Sequence, residues 1–309
     1  MTNLAPTLTL RSGAAMPQVA LGTWPMVGDE CERAVRSAFE VGYRHVDTAE
    51  NYENEEPVGK AVRESGLDRG ELFVTTKFNR KWHADPEAGV KANLQRLGLD
   101  YADLVLIHWP NPDQDLYVQA WEGLIKLQEQ GLAKAIGTSN FTPTHIDRMI
   151  AATGLAPEVN QVQMHPYYDR PVERAYHAEK GIITEAWSPL GRDAALRSEP
   201  LVEKIAARHG KTAGQVVLRW GIEVGAATAP KSANPQRQAE NLDLFDFVLS
   251  AEEVSQLSDL QAGPDAEELM DPEAFGHRRL RRGEHLVVGA QQGIGVPDEV
   301  VGRAGQHRD

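Results

Sequence analysis

Three residues with proton-handling side chains, Asp47, Lys77 and His108, each close a short apolar run, in "YRHVD", "LFVTTK" and "DLVLIH", about 30 residues apart. A fourth, Tyr52, follows Asp47 within the stretch "GYRHVDTAENYENE". A phenol titrates near about 10, too high for ready proton exchange at neutral pH unless a nearby cation favours the phenolate. Lys77 is the candidate cation, Asp47 the carboxylate that orients its ammonium, and His108 a hydrogen-bond donor to a substrate oxygen. Tyr52 then reads as the general acid for a carbonyl that is accepting a hydride. A single buried lysine reads equally well as half of a structural ion pair. Asp, Lys and His at successive strand ends favour function.

Such a set needs a frame that brings the strand ends together. Eight short β-branched or apolar runs alternate with amphipathic segments: "QVALGTW", "YRHVD", "LFVTTK", "DLVLIH", "KAIGTS", "EVNQVQ", "IITEAW" and "AATAP". The spacing is that of βαβ units, and eight of them predict a closed α/β (β/α)8 TIM barrel, whose chemistry sits at the C-terminal strand ends. "TLTLRSGAAM" (7–16) predicts an N-terminal β-hairpin capping the barrel bottom. Two helical patterns in 194–224 place an extra helix between barrel strands 7 and 8. In "DECERAVRSAFEVG", Cys31, Val35, Ala38 and Phe39 share a face, Asp29 with Glu32 resembles a capping box, and Gly42 supplies the stop. Residues 1–276 read as a single barrel domain and 277–309 as a weakly structured C-terminal tail.

Composition narrows the class. With 45 acidic against 32 basic residues the formal charge is −13, which opposes sequence-independent nucleic-acid binding. The single cysteine, Cys31, reads as helix packing and excludes an intramolecular disulfide framework. No secretory signal and no apolar run of membrane-spanning length is read, so the expectation is a cytoplasmic protein with no nucleic acid or membrane as partner; a monomeric or weakly associating enzyme is the accompanying expectation. No set of His, Asp and Glu has metal-ligand spacing, and His165 in "QMHPYY" reads as structural.

No G-x-G-x-x-G joins a strand to a helix, so a Rossmann dinucleotide site is not expected. Instead "PKSANPQRQAEN" carries a strand end into a helix start and clusters the donors Lys231, Ser232, Asn234 and Arg237, at a place that favours anions.

The chain resembles the aldo-keto reductase family from about Thr7 to Phe275, and is most similar to the bacterial branch that includes 2,5-diketo-D-gluconate reductases. The residues that carry this are "GYRHVDTAENYENE", "TTKF", "LIHWP", "GLAKAIGTSNF", "VNQVQMHPYY", "EAWSPLG" and "APKSANPQRQAENL", all in order. The resemblance implies that Asp47, Tyr52, Lys77 and His108 form a catalytic tetrad with Tyr52 as proton donor. It implies that Ser139, Asn140 and Gln161 bind the nicotinamide carboxamide and that Trp187, where tyrosine is frequent in the family, stacks on the ring. Lys231, Ser232 and Arg237 would hold the adenosine 2′-phosphate, Glu240 and Asn241 the adenine, and the "SPLGR" loop, through Ser188 and Leu190, the pyrophosphate. NADPH is expected over NADH. Trp24 and Trp109, with Tyr52 and His108, would face a small carbonyl substrate, while the tail after Phe275 is read as disordered in preference to a cover over the pocket. The rivals are a Schiff-base aldolase using Lys77 and a non-catalytic NADPH-binding protein on the same scaffold.

Overall fold

The computed structural model describes residues 4–191, 194–260 and 270–273. The chain divides into Met1–Gly276 and His277–Asp309. The second unit, with Phe275 and the expected weakly structured tail, lies outside the described residues.

Strands β1 (Thr7–Thr9) and β2 (Ala15–Pro17) form an antiparallel hairpin. Its turn is closed by Leu10 N donating to Ala14 O and by Gly13, at φ 86°, donating to Leu10 O. As expected, the hairpin plugs one end of the barrel. Leu10 and Met16 are buried there against Phe73, Leu104, Leu106, Ala135, Val159 and Ala227.

Eight parallel strands follow: β3 (Leu21–Gly22), β4 (His45–Asp47), β5 (Phe73–Phe78), β6 (Ala102–Ile107), β7 (Ala133–Ser139), β8 (Val159–Gln163), β9 (Ile183–Trp187) and β10 (Ala227–Ala229). Each pairs with the next in the chain, and bridges from Val19 to Thr228 and from Gly22 to Lys231 join the first to the last. Gly22 is required at this seam, because a Cβ there would sit 2.6 Å from the Ala229 carbonyl oxygen. These strands are buried on both faces, hence the near-continuous apolar runs in the sequence.

Helices cover the outside. The first, Gly28–Val41, buries Cys31, Val35, Ala38 and Phe39 and stops at Gly42, φ 124°. Burial, then the neighbouring Glu30, pushes the Cys31 thiol up to about 12, which suits packing rather than reactivity. The expected Asp29–Glu32 capping box does not form. The helix begins at Gly28 after an N-cap Val27 with no side-chain cap, so Asp29 sits inside the first turn and Glu32 pairs with Arg36 and Lys60. Between β9 and β10 lie two helices, Pro200–His209 and Ala213–Glu223, which supply the expected extra one. A further helix spans Ala251–Ser258. Among the described residues, no helix is long and apolar enough to cross a membrane.

Candidate active site

Asp47 is the last residue of β4 and Lys77 lies near the end of β5, and both side chains are buried. The Lys77 ammonium donates to both Asp47 oxygens at 2.7 and 2.8 Å, to Thr48 O at 3.0 Å and to the Tyr52 hydroxyl at 3.3 Å. His108 directly follows β6, and its ring meets that of Tyr52 edge-on with centroids 5.7 Å apart. Thus all four residues of the expected tetrad converge on one end of the barrel.

Their electrostatics follow from burial. Removal from water alone would lower Lys77, but the Asp47 charge and its hydrogen bonds overcome it, so the ammonium is held above its ordinary range. Burial lifts Tyr52 above the phenol range, with Lys77 pulling down against it and Asp47 pushing up. The expected depression of Tyr52 by Lys77 is therefore present but outweighed, because Asp47 already offsets the ammonium and the hydroxyl is enclosed. Tyr52 keeps its proton, the form a general acid needs. Burial, then the Lys77 charge, holds His108 well below its usual value, so the imidazole is neutral with one N–H to donate.

The segment carrying Tyr52 is fixed from both sides. Glu50–Tyr52 makes a single 3-10 turn and Glu55–Arg63 a helix, with Asn54 and Glu55 buried between them. Asn54 Nδ2 donates to Met26 O at 2.8 Å and to Thr23 O at 3.3 Å, while the Thr48 hydroxyl donates to its Oδ1 at 2.5 Å. Glu55 accepts from Thr76 Oγ1 at 2.6 Å and from Arg96 Nε at 2.5 Å. The helix then approaches Pro86–Leu97 so closely that a Cβ on Gly59 would overlap the Leu97 carbonyl. His45 is structural: its ring bonds Pro17 O and Thr75 Oγ1, and burial drives it down to about 4.

Next to the tetrad lie the residues expected at the nicotinamide. Gln161 Nε2 donates to Asp47 Oδ2 at 2.9 Å and to Glu185 Oε2 at 2.8 Å. Asn140, at φ 64°, donates to His108 O and Ser139 Oγ and accepts from Trp187 Nε1 at 2.8 Å. Ser139 Oγ donates to Gln161 O at 3.0 Å. Trp187 ends β9 and remains part-exposed. Its indole is therefore oriented through a residue that also touches His108.

Farther along the mouth, Ser188 adopts φ 47° and accepts from Gly191 N in a tight turn. The Leu190 side chain is partly buried against the core, and its carbonyl accepts from Arg197 Nη1 at 3.5 Å. Asn234 caps the helix Pro235–Leu242 by accepting from Arg237 N at 3.0 Å, so its oxygen serves the fold. Ser232 and Asn241 are buried, whereas Lys231 and Arg237 are exposed and form no ion pair with the described residues. Glu240 lies on the same helix and accepts from Gln236. Trp24, two residues past β3, is 44% exposed, while Trp109 is 6% exposed. His165 packs against Tyr168 at 5.0 Å between centroids. Glu185, which the sequence reading passed over, is wholly buried on β9. Burial, then the Asp47 charge, pushes its carboxyl up to about 7.

A barrel of parallel strands with Asp, Tyr, Lys and His gathered at one mouth defines the class. The aldo/keto reductase family model matches residues 16–262, and the chain belongs to that family. It is 46% identical over 260 residues to 2,5-diketo-D-gluconic acid reductase B of Corynebacterium sp. (strain SHS752001), covering 84% of this chain and 94% of that one. It is 43% identical over 277 residues to the methylglyoxal reductase DkgA of Yersinia pestis, covering 89% and 99%. Among solved structures, the Bombyx mori aldo-keto reductase in complex with NADP superposes with TM-score 0.78 at 37% identity, over 82% of this chain and 92% of that one.

Proposed function

We propose that the protein is an NADPH-dependent reductase of aldehydes or reactive ketones, with Tyr52 as proton donor. The observation that carries this is the Asp47–Lys77–Tyr52 hydrogen-bonded chain beside neutral His108. When bound, the reduced nicotinamide supplies the hydride. The chain's own part is to hold the carbonyl oxygen between the Tyr52 hydroxyl and the His108 N–H and to protonate it from Tyr52. Lys77 donates to the Tyr52 oxygen and so favours the phenolate left behind.

The residues present suit this cofactor. Two exposed cations, Lys231 and Arg237, stand unpaired among the described residues beside a helix start in a chain of net charge −13. They would hold the 2′-phosphate together with Ser232. Glu240 and Asn241 would contact the adenine, and the Ser188–Leu190 main chain the pyrophosphate. Gln161, Asn140 and Ser139 would take the carboxamide, with Trp187 against the ring. Trp24 and Trp109 would border the substrate. A Schiff-base role for Lys77 is disfavoured, because a nucleophilic lysine must be neutral and this one is doubly paired to Asp47.

The proposal includes one barrel domain over 1–276 and a monomer in the cytoplasm with no nucleic-acid partner. A single buried thiol and the acidic surface are in keeping with it. The test is NADPH oxidation across methylglyoxal, aromatic aldehydes, aldoses, diketones and 2,5-diketogluconate. Turnover of at least one dicarbonyl or aldehyde, with NADH far poorer, is expected. NADPH binding without turnover of any of them contradicts the reading.

A further inference from the structure

The reaction as derived uses Asp47, Lys77, Tyr52 and His108, but a second carboxylate is buried with them. Glu185 is in register with Gln161 on the neighbouring strand and is 0% exposed. Its Oε2 accepts from Gln161 Nε2 at 2.8 Å, and the same nitrogen donates to Asp47 Oδ2 at 2.9 Å. Oε1 is enclosed with no hydrogen-bond partner among the described residues. The charged or titratable groups that act on it are Asp47 from β4 and Lys77 from β5, and Glu185 acts in turn on Tyr52 from the turn after β4. On its other neighbours Gln161 is neutral, and Ala227, its partner on β10, carries no charge.

An enclosed carboxyl with an unmade hydrogen bond is costly, so its place beside the proton donor calls for an account. An amide nitrogen has two N–H groups, and Gln161 spends them on the two carboxylates. That fixes which way the amide points and leaves Oε1 as the group it can offer a cofactor carboxamide. The negative charge of Glu185 also raises both Tyr52 and Lys77.

We propose that Glu185 is a positioning residue for the reduction: it clamps the Gln161 amide against Asp47 and, when ionised, adds a second negative charge that keeps the proton on Tyr52. This rests on the reading of Tyr52 as donor. As pH rises Glu185 ionises before Tyr52, and the charge it gains opposes loss of the tyrosine proton, so reduction persists to higher pH than Asp47 alone would allow.

The experiment compares wild type, Glu185→Gln, Glu185→Asp and Tyr52→Phe for kcat against pH, with NADPH affinity measured by fluorescence quenching. Glu185→Gln keeps the acceptor but not the charge. It is expected to hold NADPH affinity within about threefold while the alkaline limb of kcat moves down by roughly half to one pH unit. Glu185→Asp is expected to move the limb back toward wild type. An unchanged alkaline limb in a folded Glu185→Gln overturns the proposal. Should that variant not fold, Glu185→Met, which removes the charge without burying a new polar group, decides: an alkaline limb of kcat moved down supports the proposal, and an unchanged limb overturns it. Retained turnover in Tyr52→Phe instead defeats the donor assignment itself, so the two failures are distinct.

Discussion

Asp47→Asn tests the electrostatics of the site most severely. Lys77 is wholly buried, and three of its four hydrogen bonds survive the change in some form, but its only charge partner at contact distance among the described residues is lost. Leaving one member of such a pair uncompensated costs about 3–5 kcal/mol. At about 2–4 °C per kcal/mol for a large domain, the melting temperature should fall by roughly 6–20 °C. The pH dependence carries a sign. In the wild type Lys77 is raised above its unfolded value, so its contribution is full below about pH 10.4 and is lost as pH rises through the folded value. In the variant burial dominates and the folded value drops below the unfolded one. The unfolded chain then binds more protons, and variant stability gains as pH rises through that interval. Urea unfolding of both proteins between about pH 7 and 9.5 should therefore show a gap that narrows toward the alkaline end. A gap below about 1 kcal/mol, or one constant with pH, refutes the account of Lys77 as an ammonium held by Asp47.

Asn54→Ala leaves Thr48 and the Met26 carbonyl without their buried partner, so a loss of about 1–3 kcal/mol is expected together with a lower kcat. NADPH affinity measured by fluorescence should be unaltered. Gly59→Ala drives a methyl into the Leu97 carbonyl and should cost about 3 kcal/mol in chemical denaturation; a loss below about 1 kcal/mol would contradict the close helix approach. Arg237→Ala should reduce kcat/KM with NADPH by about 10–100-fold, the worth of a hydrogen bond to a charged group, and leave NADH kinetics unaltered. Equal losses with both cofactors would place Arg237 away from the 2′-phosphate.

The barrel was legible because strands buried on both faces leave continuous apolar runs, and a polar residue at the end of such a run stands out. Asp47, Lys77 and His108 were found in this way. Asn54 and Glu55 were not, since nothing in the stretch "ENE" marks it as buried and Glu55 meets Arg96 only through a contact 41 residues away. Glu185 had a signal that could have been used: it interrupts the apolar run "IITEAW" in its interior, where burial is forced. The capping-box pattern at Asp29 misled because four residues cannot tell whether a helix starts two positions earlier, after Val27 rather than Asp29. The helix start at Pro235 was legible from Asn-Pro, yet the use of the Asn234 oxygen as the cap was separable from a ligand role only with the coordinates.

The central claim is that Tyr52 delivers the proton. Removing only its hydroxyl, by Tyr52→Phe, leaves the ring that meets His108 and takes away the atom bonded to Lys77. With NADPH bound and a dicarbonyl substrate in excess, single-turnover NADPH oxidation should fall by about 10²–10⁴-fold while NADPH affinity stays within about twofold. Oxidation at close to the wild-type rate, with cofactor bound normally, would contradict it.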